Sequence, residues 1–555
     1  MTIEKDSRGP GELGVECLCD QSRPGADGGA VMTILFVVPP CFSDRELDFE
    51  IGVPIHLPLL GRAARQAGWI PTYLDMTLLE KEGLDSYAAL SSALDDPSVR
   101  IVGISNHTVR TSVTTKAVAE YVKSRSPNMT VIVGGVNSTF MWRELLAQCP
   151  FIDYVIRGYG QAALRQTLSE FATGLPVTAP GIARRRNEVL CAEPLATVLA
   201  SDFAAPDIEE LPLDRYLQWT HTYPLMTHTG CGFSCNFCTS VMPGPYQSRE
   251  VYRPVDDVVG EMRHAIDLGF KRFFVSDNVF TSRRDQCLAL CSAIRETSVP
   301  SAVSWVCMTR VELVDEELLN AMRSAGCMNV AFGVETAGKE GWSELRKGRY
   351  VEKTIRRAFQ MTRAAGIGTT AYVMVGAPSQ TRADVEATLA LLHDVDPTYR
   401  VISFFQPFPG TPYWINAETY GLSDIAPLDQ WNFHEGPICR TASFSKAELV
   451  DIAVRMYLDR APAERIDIHS DSLVVRSDIA DLGEPPEAVR DVLACCDGRK
   501  SISAILASCN SRHGARARLM SLYWLSAAIS DGAVEVRSGL TDKESCDERY
   551  IYSVQ

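Results

Sequence analysis

The stretch His228-Thr-Gly-Cys-Gly-Phe-Ser-Cys-Asn-Phe-Cys238 carries three cysteines, Cys231, Cys235 and Cys238, in the spacing Cys-x3-Cys-x2-Cys. A structural zinc or iron–sulfur site normally takes four ligands from the protein. A cluster held by three thiolates leaves one iron with an open coordination position, where a small molecule can bind and receive an electron. The spacing therefore predicts an iron–sulfur cluster that takes part in chemistry.

Two other kinds of site could use some of these cysteines. A zinc site needs a fourth ligand, and the nearby His228 lies upstream, at a spacing that zinc fingers do not use. A redox Cys-x2-Cys pair formed by Cys235 and Cys238 would leave Cys231 without a role. Iron and zinc contents of the purified protein separate these alternatives.

The cysteine motif lies near the start of a β/α series in a predicted domain at residues 201–430. Helical patterns such as Val258–Leu268 separate six apolar β patterns. Six ordered β/α units predict a partial (β/α)6 barrel, whose chemistry sits at the carboxyl ends of its strands. The predicted strands are Leu225–His228, Arg272–Ser276, Ala302–Val306, Val330–Gly333, Thr370–Val375 and Val401–Phe405.

A second β/α series occupies residues 32–200 and predicts a doubly wound parallel sheet. Its strand patterns are Ile34–Val38, Thr72–Leu74, Ile101–Ile104, Thr130–Val133 and Tyr154–Ile156. Such sheets bind ligands beyond the carboxyl ends of their strands. The candidate binding loops are therefore Pro39–Cys41, Ser105-Asn-His-Thr108, Gly134-Gly-Val-Asn137 and Gly158-Tyr-Gly-Gln161.

The two ends of the chain carry weaker patterns. Residues 1–31 lack periodicity and predict a disordered leader, so that Met32 is a candidate start of the folded protein. Residues 431–555 predict a helical linker and a small winged-helix-like module. In that module helical patterns at Glu487–Cys495, Ser501–Ser508 and Ala517–Ile529 lie between strand patterns at Leu473–Arg476 and Ala533–Val536.

The composition excludes several classes of function. The chain has 555 residues, too many for one core, and a formal net charge of −15, which disfavours a broad nucleic-acid interface. It has no apolar run of membrane-spanning length and no hydrophobic signal segment at Met1. Seventeen cysteines without an export signal indicate reduced thiols and a cytoplasmic protein, in which Cys287, Cys291 and Cys307 are core residues.

The barrel resembles the radical S-adenosylmethionine (SAM) enzymes. Phe237 before the last cysteine belongs to that family's signature, and later strand ends carry similar motifs. These are Ser276-Asp-Asn-Val-Phe280, Arg310, Gly333-Val-Glu-Thr336, Gly376-Ala-Pro-Ser379 and Pro407-Phe-Pro-Gly-Thr411. The resemblance implies a 4Fe-4S cluster on the three cysteines, with SAM chelated by the open iron. The SAM contacts that it implies are Phe237, Ser276, Asp277, Arg310, Gly333 and Glu335.

The upstream domain resembles that of the cobalamin-binding radical SAM proteins. The matching stretches are Val102-Gly-Ile-Ser105, Val133-Gly-Gly-Val136 and Tyr154-Val-Ile-Arg-Gly-Tyr-Gly160. The Asp-x-His-x-x-Gly motif that supplies a lower histidine ligand in other cobalamin proteins is missing, and Gln161 stands where an acidic residue is usual. The cobalamin contacts implied are Ser105, Asn106, His107, Thr108, Gly134, Gly135, Val136, Gly158, Tyr159, Gly160 and Gln161. A nucleotide-binding or degenerate β/α module is the alternative.

Together the resemblances imply a cobalamin-dependent radical SAM methyltransferase. We expect it to methylate a carbon, or less readily a phosphorus, of a specialised-metabolite, peptide or carrier-bound precursor, as in antibiotic biosynthesis. An external flavodoxin- or ferredoxin-type reductant would supply electrons. The alternatives are a cobalamin-assisted cyclase or ring-rearranging enzyme, a non-enzymatic cobalamin or redox sensor, and a methylthiotransferase. The methylthiotransferase class needs further cluster cysteines, and here Cys41, Cys149 and Cys191 are scattered.

The C-terminal module carries a further, shorter resemblance. Its segment Glu487-Ala-Val-Arg-Asp-Val-Leu-Ala-Cys-Cys-Asp-Gly498, followed by Ser501-Ile-Ser-Ala-Ile-Leu506, is similar to small winged-helix modules that capture leader peptides. A structural lid or a dimerisation module is the other interpretation. The acidic character of the module argues against DNA as its ligand.

Overall fold

The structure is a computed structural model. It describes residues 32–40, 52–107, 111–196, 198–239, 250–297, 304–347, 352–427, 431, 436–458, 472–475, 487–509, 521–522, 525 and 534–537. The predicted leader at residues 1–31 lies outside the described residues, as do Cys41 and Thr108.

The first domain is built on one seven-stranded sheet. Its strands are β1 (Thr33–Val38), β2 (Ile70–Asp75), β3 (Val99–Ser105), β4 (Thr130–Gly134), β5 (Tyr154–Ile156), β6 (Ile182–Arg186) and β7 (Val189–Ala192). They lie in the order β2-β1-β3-β4-β5-β6-β7, and the first five are parallel. The predicted doubly wound sheet is confirmed, and the apolar runs of β1 and β4 are buried because helices cover both faces.

The helices of this domain follow its strands in sequence. They span His56–Gln66, Met76–Lys81, Ser86–Leu94, Thr111–Arg125, Val136–Phe140, Trp142–Gln148 and Gly160–Thr173. Local sequence fixes several of their ends. The Asp75 and Asp85 side chains accept backbone N–H bonds at the starts of the second and third helices, and Gly174 closes the last helix with a φ of 67°.

The hairpin of β6 and β7 was not expected from the sequence. Both strands are antiparallel to their neighbours and extend the sheet beyond β5. Asn187 and Glu188, which join them, both have positive φ, as a two-residue type I′ turn requires. The sequence pattern did not predict β6, because the three arginines Arg184–Arg186 are polar and do not resemble a buried strand.

The second domain is an open parallel sheet of six strands. They are β8 (Thr222–Leu225), β11 (Arg272–Val275), β12 (Ser304–Thr309), β13 (Cys327–Glu335), β14 (Gly368–Val375) and β15 (Tyr399–Phe404). Their spatial order follows their order in the chain, from β8 at one edge to β15 at the other. This arrangement confirms the predicted partial (β/α)6 barrel.

Helices cover the outside of this sheet. They span Val255–Asp267, Arg284–Arg295, Glu316–Ser324, Lys339–Glu344, Glu352–Ala364, Arg382–Val395, Pro412–Ile415 and Lys446–Leu458. A capping box of Thr381 and Asp384 starts the helix at Arg382. Cys287, Cys291 and Cys307 are buried with free thiols in this core, as expected.

The first barrel strand ends earlier than predicted. It stops at Leu225, and His228–Thr229 instead forms strand β9 of a two-stranded antiparallel ribbon with β10 (Val251–Tyr252). The buried Asp277 carboxylate accepts the backbone N–H groups of Thr227 (2.8 Å) and His228 (3.3 Å). Because a side chain satisfies these groups, the chain leaves the sheet here and the ribbon frames the cysteine loop.

The C-terminal region contains a three-stranded antiparallel sheet. Strand β16 (Ser472–Val475) pairs with β17 (Asp497–Ser501) on one side and β18 (Val534–Arg537) on the other. Helices at Glu487–Ala494 and 502–509 precede and follow β17, a strand that the sequence pattern did not reveal. Within the described ranges, no helix is both long and apolar enough to cross a membrane.

Candidate functional site

The cysteine loop follows β9 directly and is held against the fourth strand-end segment of the barrel. The Asn236 N–H donates to the Leu345 carbonyl at 3.0 Å, and the Asn236 side-chain amide donates to the Glu344 carbonyl at 2.8 Å. Cys231 is buried, while Cys235 and Cys238 are partly exposed. Asn236, between two cysteines, therefore fixes the loop to a distant segment of the barrel.

Two cations lie beside Cys235. The Arg310 guanidinium Nη1 lies 3.7 Å from the Cys235 thiol Sγ, and its Nη2 donates to the Lys347 carbonyl. Burial raises the pKa of the Cys235 thiol, and the positive charges of Lys347 and Arg310 act in the opposite direction. A three-thiolate iron–sulfur cluster carries net negative charge, so these cations suit it.

The three thiols of this loop influence one another's charge. Burial is the main cause that raises the pKa of the Cys231 thiol, and the neighbouring Cys238 and Cys235 raise it further. The three thiols therefore interact electrostatically. Among the residues that the structure describes, no three His, Cys, Asp or Glu side chains are grouped closely enough to hold one metal ion. Thiolates on a cluster lie further apart than those on a single zinc ion, with its Zn–S bonds of about 2.3 Å.

The end of β13 supplies the predicted Gly333 and Glu335 beside the cations. Glu335 forms a mostly buried ion pair with Lys347 and has a φ of 60°, a left-handed conformation that non-glycine residues rarely adopt. A β-carbon on Gly333 would collide with the Lys347 ammonium and lie 2.6 Å from the Glu335 carboxylate. A glycine at position 333 is therefore required for this ion pair to form.

Asp277, at the end of β11, organises the other side of the cysteine loop. Besides its two backbone contacts, its carboxylate accepts the Thr227 hydroxyl at 2.5 Å and lies 3.2 Å from His228 Nδ1. The imidazole of His228 stacks on Tyr252 with ring centroids 4.5 Å apart. The Asp277 side chain, which was predicted to contact SAM, is therefore held by these hydrogen bonds. It orients the strand end and does not point freely into solvent.

A cavity of about 230 Å³ lies between the two domains. Its lining includes Val136 and Tyr159 from the first domain and Ser276, Asp277 and Asn278 from the second. The Tyr159 hydroxyl accepts the Gly230 N–H at 3.3 Å, one residue before Cys231. Residues predicted for cobalamin and for SAM therefore meet around one space.

His228 also lines this cavity, and on the sequence alone it was considered only as a zinc ligand. Its Nε2 is buried and has no hydrogen-bond partner among the described residues. A buried polar atom without a partner is costly unless a ligand satisfies it. The signal in the sequence was its position at the end of the first strand, next to the cysteine motif.

The loops after β3 and β4 form one hydrogen-bonded unit. The Asn106 N–H donates to the Gly134 carbonyl at 2.7 Å, and the Asn137 N–H donates to the Asn106 carbonyl at 3.2 Å. Gly135 has a φ of 117°, and a β-carbon there would lie 2.5 Å from the Asn106 carbonyl oxygen. The predicted cobalamin residues Ser105, Asn106, Gly134, Gly135 and Val136 are thus brought together.

The four predicted cobalamin residues in the loop after β5 have different surroundings. The Gly158 N–H donates to the Thr139 hydroxyl at 2.9 Å, and Gly158 has a φ of 80°. Gly160 packs against Leu60, at 3.3 Å from where a β-carbon would lie. Gln161 is buried in the first turn of its helix, and its side-chain oxygen has no partner among the described residues. Tyr159 is the residue of this loop that reaches the barrel.

Two histidines lie at the crevice of the first domain. His107 Nε2 is 3.0 Å from His56 Nε2, which is also 3.0 Å from the Ser105 hydroxyl. Burial lowers the pKa of the His56 imidazole, and the neighbouring His107 lowers it further. The sequence singled out His107 but not His56, because their contact joins positions 51 residues apart.

Family matches fall on both β/α domains. Residues 225–392 match the radical SAM superfamily, and residues 50–168 match the B12 binding domain. An uncharacterised methyltransferase from Pyrococcus horikoshii is 26% identical over 393 residues, which span 69% of this chain and 83% of that protein. The anaerobic magnesium-protoporphyrin IX monomethyl ester cyclase of Cereibacter sphaeroides is 25% identical over 447 residues, or 77% of this chain and 70% of the cyclase.

A solved structure has the same fold. It is the radical SAM methyltransferase TsrM from Kitasatospora setae with cobalamin and a 4Fe-4S cluster bound, at a TM-score of 0.62 and 20% identity, covering 76% of this chain and 81% of TsrM. The two domain matches imply a 4Fe-4S cluster, SAM and cobalamin as the cofactors. From these matches and the shared fold, the chain combines a B12 binding domain with a radical SAM domain, in the fold of a solved cobalamin-binding radical SAM methyltransferase.

Proposed function

We propose that this protein transfers a methyl group from SAM, by way of cobalamin, to a carbon of a small-molecule or peptide substrate. Phosphorus is the less favoured acceptor. The observation that carries the proposal is the cavity of about 230 Å³ lined by both domains. A methyl group that passes from one cofactor domain to a substrate near the other needs such a shared space.

The residues assigned to each cofactor have distinct tasks. When bound, the cluster supplies the electron that cleaves SAM, and cobalamin carries the methyl group. Cys231, Cys235 and Cys238 would hold the cluster, and Arg310 and Lys347 would place positive charge beside it. The SAM contacts would come from Phe237, Ser276, Asp277, Gly333 and Glu335, on the strand ends around the cysteine loop.

The cobalamin contacts would come from the strand-end loops of the first domain. The linked loops after β3 and β4 present Ser105, Asn106, His107, Gly134, Gly135 and Val136, and the loop after β5 presents Gly158, Tyr159, Gly160 and Gln161. Thr108, also proposed, lies outside the described residues. Tyr159 contacts Gly230 of the cysteine loop, so it would couple the two cofactor sites.

A cobalamin-assisted cyclase is the second candidate. It is favoured by the similarity to the magnesium-protoporphyrin ester cyclase of Cereibacter sphaeroides over 77% of this chain. The two reactions leave different co-products. S-adenosylhomocysteine with a methylated product supports methyl transfer, whereas 5′-deoxyadenosine with an unmethylated product supports cyclisation or rearrangement.

The test is anaerobic turnover of the reconstituted holoenzyme with candidate small-molecule and peptide substrates. We expect a product heavier by about 14 Da, which is one added CH2, together with S-adenosylhomocysteine. The Cys235→Ala variant should lose its iron and its turnover, while Cys307→Ala, which alters a core thiol, should keep both. A full zinc complement without iron, or turnover that is unchanged in Cys235→Ala, would contradict the proposal.

A further inference from the structure

Two histidines meet across the point where the strand order of the first sheet reverses. His56 opens the helix that follows β1, and His107 lies two residues beyond the end of β3. Strands β1 and β3 are neighbours, while β2 lies on the far side of β1. The loops that follow two such strands run to opposite sides of the sheet and leave a crevice between them. Doubly wound sheets bind ligands in this crevice.

The contact between the two rings constrains their protonation. The Nε2 atoms are 3.0 Å apart, with ring centroids separated by 4.3 Å and ring planes at 74°. A hydrogen bond between two such nitrogens needs one N–H and one lone pair. If His107 donates its Nε2–H, its own lone pair is on Nδ1. A histidine that ligates a metal is typically in this state, with its second nitrogen donating to a neighbouring group.

The position of the pair relative to the cavity suggests which side of a cofactor it would serve. Val136 and Tyr159, from the loops after β4 and β5, line the cavity that faces the barrel. His56 and His107 come from the same edge of the sheet but are not among the residues that line this cavity. They therefore suit the face of a bound cobalamin that is turned away from SAM and the substrate.

We propose that His107 is the lower axial ligand of cobalt in this protein, and that His56 is a positioning residue that holds the His107 ring and its tautomer. The proposal rests on the cobalamin site assigned above and goes beyond it, because it names the ligating side chain. The ligand would come from the loop after β3. Other cobalamin proteins use an Asp-x-His-x-x-Gly motif after the first strand, which this chain lacks.

Electron paramagnetic resonance of the reduced cofactor tests the proposal without a substrate. The unpaired electron of cob(II)alamin lies along the axial direction, so an axial nitrogen splits the cobalt lines. Protein labelled uniformly with nitrogen-15 and loaded with unlabelled cobalamin should give doublets. The cofactor's own benzimidazole would give triplets, and an axial water would give no splitting. Triplets or unsplit lines from the loaded wild-type protein would overturn the proposal.

Variants identify the histidine. His107→Ala should abolish the doublets, whereas His221→Ala, which removes an exposed histidine at the start of the barrel, should leave them. His56→Leu should reduce the fraction of cobalt that has a nitrogen ligand, and His56→Gln, which keeps a hydrogen-bond acceptor, should restore much of it. Doublets that persist in His107→Ala would overturn the assignment.

The cobalamin absorbance of the loaded protein separates this proposal from the assigned function. Wild-type protein that retains no cobalamin would overturn both. Wild-type protein that retains cobalamin without doublets would overturn the axial ligand alone, and the methyl-transfer proposal would stand.

Discussion

Gly333 shows how one side chain decides the geometry next to the cluster. Replacement by alanine would push its β-carbon into the Lys347–Glu335 ion pair, which occupies the space beside the backbone. We expect Gly333→Ala to fold but to lose at least tenfold in SAM cleavage, measured as 5′-deoxyadenosine formed under dithionite. The physical reason is that the added methyl group would displace the mostly buried Lys347–Glu335 ion pair. Breaking such a pair costs on the order of 3 kcal/mol in the free energy of unfolding.

The matched control is Gly260→Ala. This glycine lies within the helix Val255–Asp267, and a β-carbon there meets nothing within 4 Å. Its substitution should raise the free energy of unfolding by roughly 0.5–1 kcal/mol, because alanine is the better helix former, and leave SAM cleavage unchanged. Equal activity in the two variants would show that the space at position 333 is not needed.

Arg310 can be tested through its effect on the reduction potential of the cluster. Removing a positive charge 3.7 Å from the Cys235 thiol should make the cluster harder to reduce. Coulomb's law with an effective dielectric constant near 20 gives a fall in midpoint potential on the order of 100 mV for Arg310→Gln. Anaerobic redox titration of the reconstituted protein measures it.

Arg356→Gln is the control for that charge. Arg356 is paired with Glu352 and Asp394 on the outer surface of the barrel domain, and its loss should leave the potential unchanged. A potential for Arg310→Gln that equals or exceeds the wild-type value would contradict the electrostatic role assigned to Arg310.

Some residues of the candidate site could be selected from the sequence and others could not, for a physical reason. Cys231, Cys235, Cys238, Glu335 and Arg310 stand at fixed distances from strand ends, so local pattern locates them. Lys347 and His56 belong to the site through contacts between distant segments, with Glu335 and His107 respectively. A single sequence carries no signal for such long-range pairs.

At the scale of elements, the helix Lys446–Leu458 completes the barrel by covering its last edge strand. The Tyr457 hydroxyl accepts the Ile402 N–H of β15 at 3.0 Å, and Arg400 donates to the Met456 carbonyl at 2.9 Å. The helix thus supplies hydrogen-bond partners to the edge strand, whose backbone groups on that side have no neighbouring strand to pair with.

Tyr457→Phe should therefore weaken the fold. The Ile402 N–H would remain buried without its acceptor, which costs about 1–3 kcal/mol in the free energy of unfolding. Urea denaturation measures the change. As a control, Tyr121→Phe removes a hydroxyl that lies 3.5 Å from the Tyr87 carbonyl, a longer contact, and should cost less. Equal losses in both variants would contradict the edge-covering role.

The same tyrosine predicts a pH dependence. Burial raises the pKa of Tyr457 from 10.0 to about 12, so the folded protein keeps its proton over a range in which the unfolded chain releases it. This contribution to stability is complete below pH 10 and is lost as the pH rises toward 12. Stability in Tyr457→Phe should fall less over that range than in the wild type, and a parallel fall would contradict the assignment.

The order of the elements was easier to predict than their ends. Alternating apolar runs predicted the eleven parallel strands of the two sheets, because strands covered on two faces must be apolar throughout. The end of the first barrel strand was misplaced by three residues because Asp277, fifty positions away, takes its hydrogen bonds. The β6–β7 hairpin was missed because its polar strand Ile182–Arg186 is only partly buried.

In the molecule as a whole, the proposed methyl transfer requires that the two domains share one reaction space. The cavity lined by Val136, Tyr159, Ser276 and Asp277 lies next to the cysteine loop, because Thr229 and Thr239, which flank that loop, also line it. The strand-end edges of two sheets that are far apart in sequence both contribute to it. Sequence patterns could predict each edge separately, and the structure brings them together.

Methyl loading of the cofactor tests whether the two domains share this space, and it needs no substrate. The holoenzyme is reconstituted anaerobically with iron, sulfide and cobalamin, reduced, and supplied with SAM that carries a trideuterated methyl group. We predict protein-bound cobalamin carrying the trideuterated methyl group, with an equal amount of S-adenosylhomocysteine, both measured by mass spectrometry. Cobalamin that is retained but remains unmethylated, with no S-adenosylhomocysteine formed, would contradict the account.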